Sequence, residues 1–150
     1  MRGISMRVTS IVLIAAAAAV LAATPIAAQN PEAVVAAFHG ALASGDSSQA
    51  LALLAPDVLI YENGAVETSR DEYRSHHLPA DMAFAASTTR EVVAQSGGQS
   101  ADVAWLTSST LTKGTFRGRE IDSRGTETML LRQTPAGWRI THIHWSSRSN

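Results

Sequence analysis

The amino-acid sequence predicts an α+β domain: helices gathered in the first half, packed against one face of a curved antiparallel sheet built by the second. Two observations carry this. Up to about residue 87 the apolar residues recur at helical spacing between capping signals, interrupted by one short hairpin. From Arg90 onward the chain changes to long alternating stretches joined by Gly-containing turns. Helices segregated to one side of an antiparallel sheet make an α+β architecture, and a sheet curving around them leaves a concave pocket.

The elements follow in order. Asn30-Pro31-Glu32 supplies an N-cap, a first-turn proline and a first-turn acid. Val34, Phe38, Ala41 and Leu42 continue at helical spacing, and Gly45 is the stop. Asp46 caps a second short helix with Leu51, Leu53 and Leu54, expected to end at Pro56. Val58 to Tyr61 reads as a strand, Asn63-Gly64 as a tight turn and Ala65-Val66-Glu67 as the return. Ser69 and Glu72 match a capping box opening a helix that carries Tyr73, His76 and His77 and breaks near Pro79, with another short helical turn from Asp81. Four strands are expected: Glu91 to Gln95, Ala101 to Lys113, Thr126 to Gln133 and Trp138 to Ser147. Ser96-Gly97-Gly98-Gln99 and Thr134-Pro135-Ala136-Gly137 are read as turns, and 114–125 as a polar connection able to extend the second hairpin.

The segment before Asn30 reads as an address. Arg2 and Arg7 precede an apolar run from Ile11 to Ala23, and Ile26-Ala27-Ala28 offers a small-residue cleavage site. The run is shorter than the roughly 20 apolar residues of a membrane span. The expectation is a signal peptide over 1–28, a single domain over 29–150, periplasmic or secreted, with no membrane span after signal removal. That domain carries a formal charge of −3 with His neutral, because the first 28 residues hold two of the twelve basic residues and none of the thirteen acidic ones. No basic stripe is present to collect phosphates, so nucleic acid is not expected as a partner. The absence of cysteine excludes thiol chemistry, iron–sulfur clusters and Cys-based zinc sites.

The element order, with Glu127-Thr128 to Arg132 and Gly137-Trp138-Arg139-Ile140 through His142-Ile143-His144-Trp145-Ser146, resembles the nuclear transport factor 2-like superfamily. Within it, the chain is similar to the SnoaL-like branch and to the association domain of calcium/calmodulin-dependent kinase, over Pro31–Arg148. The resemblance implies a cone-shaped sheet wrapped around the N-terminal helices and a homodimer through the outer sheet face. The superfamily holds isomerases, dehydratases, epoxide hydrolases and cyclases alongside members that only bind or assemble, so side chains must decide the chemistry. Arginines that reach the pocket in the kinase domain correspond here to Met129 and Trp145.

In that register Val103, Trp105, Thr107, Glu127, Met129, Leu131, Ile143 and Trp145 face the cone, while Ala104, Leu106, Leu130, Ile140, His142 and His144 face outward. A one-residue bulge would exchange the two sets. A small, mostly apolar ligand is expected against Tyr61, His77, Val103, Trp105, Thr107, Glu127, Met129, Ile143 and Trp145. For catalysis the candidates are Glu127, whose pKa burial would raise, and His76 or His77. Glu127 could instead be neutralised by Arg117, Arg119 or Arg124. Consecutive on a helix, His76 and His77 lie about 100° apart, so at most one points fully inward. His76, Asp81, His142 and His144, with Glu62 or His77 as substitutes, form a weaker metal-binding alternative, the bland reading being packing across a strand or interface. No cofactor is expected. The sequence thus supports a non-catalytic binding protein, with a small lyase, isomerase or hydrolase, or a metal-binding protein, as alternatives.

Overall fold

The structure, a computed structural model, describes residues 30–150; the signal peptide expected over 1–28 lies outside the described residues. Helices α1 (Pro31–Ser44) and α2 (Ser47–Leu53) come first, followed by strands β1 (Leu54–Glu62) and β2 (Ala65–Glu67). Helices α3 (Arg70–His76) and α4 (Leu78–Ser87) precede β3 (Thr88–Ser100), β4 (Val103–Phe116), β5 (Arg119–Thr134) and β6 (Gly137–Ser149). The strands form one curved, unclosed sheet in the order β2-β1-β6-β5-β4-β3. This is the expected α+β class with one correction: β1 pairs with β6 in parallel, so the sheet is mixed. The two helices α3 and α4, between the short hairpin and the long meander, let β1 run alongside the last strand in its own direction.

Local signals hold where they are short-range. Asn30 Oδ1 accepts from Ala33 N at 2.8 Å, and Gly45 closes α1 in the left-handed region at φ 74°. Asp46 caps α2 through Gln49 N at 2.9 Å, but the chain turns extended at Leu54, before Pro56. Asn63 and Gly64 both adopt positive φ, as a two-residue type I′ hairpin requires. The capping box is half formed. Ser69 Oγ accepts from Glu72 N at 3.1 Å, while the Glu72 carboxylate receives the backbone and hydroxyl of Thr68 rather than Ser69 N.

Two turns move. Gly97 and Gly98 lie inside β3, whose turn falls at Ala101-Asp102. The facing strand crowds both: a Cβ on Gly98 would collide with the Trp105 indole, and one on Gly97 would meet Trp105 O at 2.6 Å and Leu106 Cγ at 3.3 Å. The 114–125 connection is strand on both sides of a turn at Arg117-Gly118.

Register decides the inner face. Cross-strand partners share a face, and Ser108 pairs with Glu127 and Leu106 with Met129. Ala104, Leu106 and Thr110 therefore point inward and are buried, while Val103, Trp105 and Thr107 point out and are exposed, the reverse of expectation for β4. On β6, Leu130 pairs with His142 but Leu131 with Ile140, leaving Thr141 as a bulge whose hydroxyl bonds Leu130 O at 3.2 Å. The bulge changes parity along the strand, so Trp138 and Ile140 face in before it and Ile143 and Trp145 face in after it. Ile140, expected outside, is fully buried. Val34, Phe38, Ala41, Leu53, Leu54, Tyr73, Met129, Leu131 and Ile143 complete the core between α1, α2, α3 and the sheet.

Candidate functional site

The core fills only the narrow end of the sheet's concavity. Beyond it lies a cavity of about 770 Å³, within the range that encloses small ligands. Two helix faces and the outer halves of the meander form its walls. From α1 come His39, Leu42 and Ala43, and from α4 Asp81, Phe84 and Ala85; each set has i, i+3, i+4 spacing and so shares one face. The sheet adds Glu62, Arg90, Thr110, Thr112, Phe116, Glu127 and Trp145.

Glu127 is the fixed charge of this cavity, 7% exposed. Its Oε1 accepts from Arg90 at 3.2 Å and from Ser108 Oγ at 3.3 Å, and its Oε2 accepts from Trp145 Nε1 at 2.6 Å. His39 Nε2 approaches Oε2 to 2.8 Å, outside the geometry of a directed N–H···O bond. Burial alone would raise the Glu127 pKa; His39, Trp145 and Arg90 outweigh it and hold the carboxyl below its usual range. The sequence expectation of a raised pKa is thereby corrected. So is the expected ion-pair partner: the guanidinium comes from Arg90 on β3, not from Arg117, Arg119 or Arg124.

Across the cavity the carboxylates have the opposite character. Burial pushes Asp81 up to about 6, against the Tyr73 hydroxyl that donates to its Oδ2 at 2.8 Å and with help from the like charge of Glu62. Burial likewise raises Glu62, partly offset by His77. Tyr73 is itself fully buried, and its phenol is pushed far up by burial and by Asp81, so it remains a neutral donor.

Beside this pair, Glu67, 4% exposed, receives both helix histidines. His76 Nδ1 lies 3.3 Å from Oε2, and His77 Nδ1 contacts Oε1. The two rings converge although they are consecutive because α3 ends at His76 and His77 caps the junction to α4. Neither lines the large cavity; His77 borders a minor recess with Ile60, Glu62 and Trp145. Ligand atoms of Glu67, Glu72 and His76 lie within 4.8 Å of one another. The expected quartet of His76, Asp81, His142 and His144 does not assemble among the described residues.

Of the expected ligand contacts, Glu127 and Trp145 line the cavity, and Met129 and Ile143 are sealed beneath it in the core. Tyr61 is on the outer face, its ring centroid 5.3 Å from that of His142 and 6.4 Å from that of His144. Val103, Trp105 and Thr107 share that outer face. Burial and the neighbouring His144 lower the pKa of His142, which favours a neutral ring. Sequence reasoning passed over His39, Arg90, Phe84 and Phe116, and treated Asp81 and Glu62 only as metal ligands. The repeated polar-x-x-apolar-Ala pattern of His39-Leu42-Ala43 and Asp81-Phe84-Ala85 was a legible sign of two half-polar helix faces.

Comparison with solved structures agrees with this architecture. A candidate ketosteroid isomerase from Shewanella frigidimarina shares 39% identity with a TM-score of 0.73, over 76% of this chain and 92% of that one. A candidate calcium/calmodulin-dependent protein kinase II association domain from Xanthomonas campestris gives 19% identity and a TM-score of 0.64, over 78% and 84%. The CaMKII hub of S. rosetta gives 18% and 0.65, over 80% and 98%. No curated protein matches the chain. A profile of the SnoaL-like domain matches residues 32–148, nearly the whole described region, and the chain therefore belongs to the SnoaL-like family.

Proposed function

We propose that this SnoaL-like domain is exported and holds a small molecule with a largely apolar body in its cone. The observation that carries this is the cavity: about 770 Å³ walled by Leu42, Phe84, Phe116 and Trp145 over a preset ionic floor of Arg90 and Glu127. Such a floor is organised before any ligand arrives, which lowers the cost of ordering on binding. Native mass spectrometry of protein purified from its producing cells tests the reading. A retained small-molecule adduct that disappears on filling the cavity with Ala85→Trp is the expected result. No adduct, together with an unmoved Trp145 indole resonance across a library of cyclic fragments, would refute it.

Export rests on Arg2, Arg7 and the apolar run that follows, and predicts a processed N-terminus near Gln29 on cell fractionation. Self-association through the outer face is supported by exposed Leu59, Tyr61, Val103, Trp105 and Leu130, and by the association domains among its structural relatives. Trp105→Glu with Leu130→Glu should then yield a monomer in sedimentation.

A second reading is proton-transfer catalysis, favoured by Asp81, which faces the cavity with its pKa near 6 and is held by Tyr73. The relative 39% identical is a candidate ketosteroid isomerase. In such a reaction Asp81 would take a proton from the carbon between carbonyl and alkene of a β,γ-unsaturated ketone and return it to the γ carbon. Isomerisation of a cyclic β,γ-enone followed by absorbance, and lost in Asp81→Asn, is the test; no turnover by the wild type removes this reading.

A further inference from the structure

We infer that the cavity selects a protonated amine: its ligand carries one ammonium group seated between the Glu62 and Asp81 carboxylates beside the Phe84 ring. This rests on the cavity being the ligand site and specifies what that site prefers.

The charge balance points this way. Three carboxylates, Glu62, Asp81 and Glu127, line the cavity against one guanidinium, that of Arg90. Arg90 is already committed, donating to Glu127 and to Ser108 at 3.2 Å each. Glu127 is in turn saturated, with acceptor contacts on both oxygens. The cationic charge of Arg90 is therefore balanced inside the cavity by Glu127, against whose Oε2 the His39 ring also lies at 2.8 Å, and the net charge that remains is negative.

The opposite pole is unspent. Among the described residues Tyr73 is the only hydrogen-bond donor to Asp81, and it engages Oδ2 alone; no residue donates to Glu62. Three carboxylate oxygens thus remain as acceptors, and His77, the nearest base, is held by Glu67. The upward pKa of both acids fits two half-buried like charges without a cation. An ammonium group supplies that counter-charge and three donors, and charge-assisted bonds of this type are the strong ones. Phe84 stands one helical turn from Asp81 on the same face, which puts an aromatic ring within reach of a cation held by the carboxylate. Phe116, edge-on to Phe84 at 5.3 Å, and Trp145 continue the apolar wall for the ligand body.

Three probes of matched size test this at pH 7.5: phenethylamine, 2-phenylethanol and phenylacetate, titrated by NMR on the Trp145 indole resonance and by calorimetry. The amine should bind about tenfold or more tighter than the alcohol, and phenylacetate weakest. Glu62→Gln with Asp81→Asn should remove the preference by weakening the amine, and cooperative thermal unfolding shows that the variant is folded. Equal or tighter binding of the alcohol or phenylacetate overturns the amine selectivity and leaves the cavity as a ligand site. A preference that survives the double variant overturns the assignment to Glu62 and Asp81. Binding of none of the three overturns both this inference and the reading of the cavity.

Discussion

Asp81→Asn is expected to make the protein more stable at neutral pH, an unusual outcome for a change in a wall of the cavity. Asp81 has an ordinary pKa of 3.8, and the fold raises it to about 6. A carboxyl whose native pKa lies above its unfolded one binds more protons in the native state between those values. Stability therefore falls as pH rises from about 4 to 6 and stays reduced above that. The difference of roughly two pH units, at about 1.4 kcal/mol each, gives about 3 kcal/mol as an upper bound. Solvent reaches part of the group, so screening reduces this to about 1–2 kcal/mol. Asparagine removes the charge while its carbonyl still accepts from the Tyr73 hydroxyl, 2.8 Å away in the wild type. The variant should gain about 1–2 kcal/mol at pH 8, read as a rise of several degrees in Tm. The gain should shrink to near zero by pH 4, where Asp81 is protonated in the wild type. Urea denaturation of both proteins at pH 4, 6 and 8 measures it. A variant no more stable at pH 8, or a gain that does not change with pH, would show that Asp81 is not a strained charge. A cavity that keeps such a charge against its own stability matches the trade between stability and function seen at working sites.

Other predictions concern the cavity floor and the frame. Glu127→Gln should destabilise by about 1–3 kcal/mol at pH 7, because Arg90 loses its counter-charge and two donors lose a charged acceptor. Glu127 has a depressed native pKa, so its contribution is present above its ordinary 4.5 and fades as pH falls through the native value. Denaturation of wild type and variant should therefore converge in acid. Phe38→Ala, at a fully buried ring 6.3 Å from that of Trp145, should cost about 3–5 kcal/mol in chemical denaturation and alter Trp145 fluorescence. Gly114→Ala should cost about 1–3 kcal/mol and reduce amide protection along the β3–β4 pairing. Gly114 sits at φ 155°, and a Cβ there would meet Ser87 O at 2.5 Å, a backbone atom that cannot swing away.

What could be read ahead of the structure was set by interactions between near neighbours. The caps at Asn30 and Asp46, the Asn63-Gly64 hairpin and the order of the elements depend on a few consecutive residues, and each is found close to where the pattern put it. The failures follow the same rule. Gly97-Gly98 reads as a turn because two glycines usually make one; instead both lie in a strand, where the Trp105 indole fills the space beside Gly98 and the Trp105 backbone and Leu106 crowd Gly97. The candidate site was half legible. Glu127 and Trp145 fall on the cavity side in the register that the family resemblance implies. Their partners were not legible. Arg90 and His39 meet Glu127 across 37 and 88 residues of chain, a closeness that no sequence period records.

The sequence by itself determined the class of the domain, the order of its helices and long strands, and the resemblance that placed it among SnoaL-like proteins. Tertiary structure alone decided which side of β4 and of the start of β6 looks inward. A strand's side chains alternate with a period of two, so one bulged residue at Thr141 brings Ile140 to the inner face together with Ile143 and Trp145, and one step of register exchanges the two faces of β4. It also decided the chemistry of the carboxylates. Glu127 and Asp81 are the same functional group in sequence, yet packing surrounds one with donors and leaves the other half-buried with a single hydroxyl, and their proton affinities diverge accordingly.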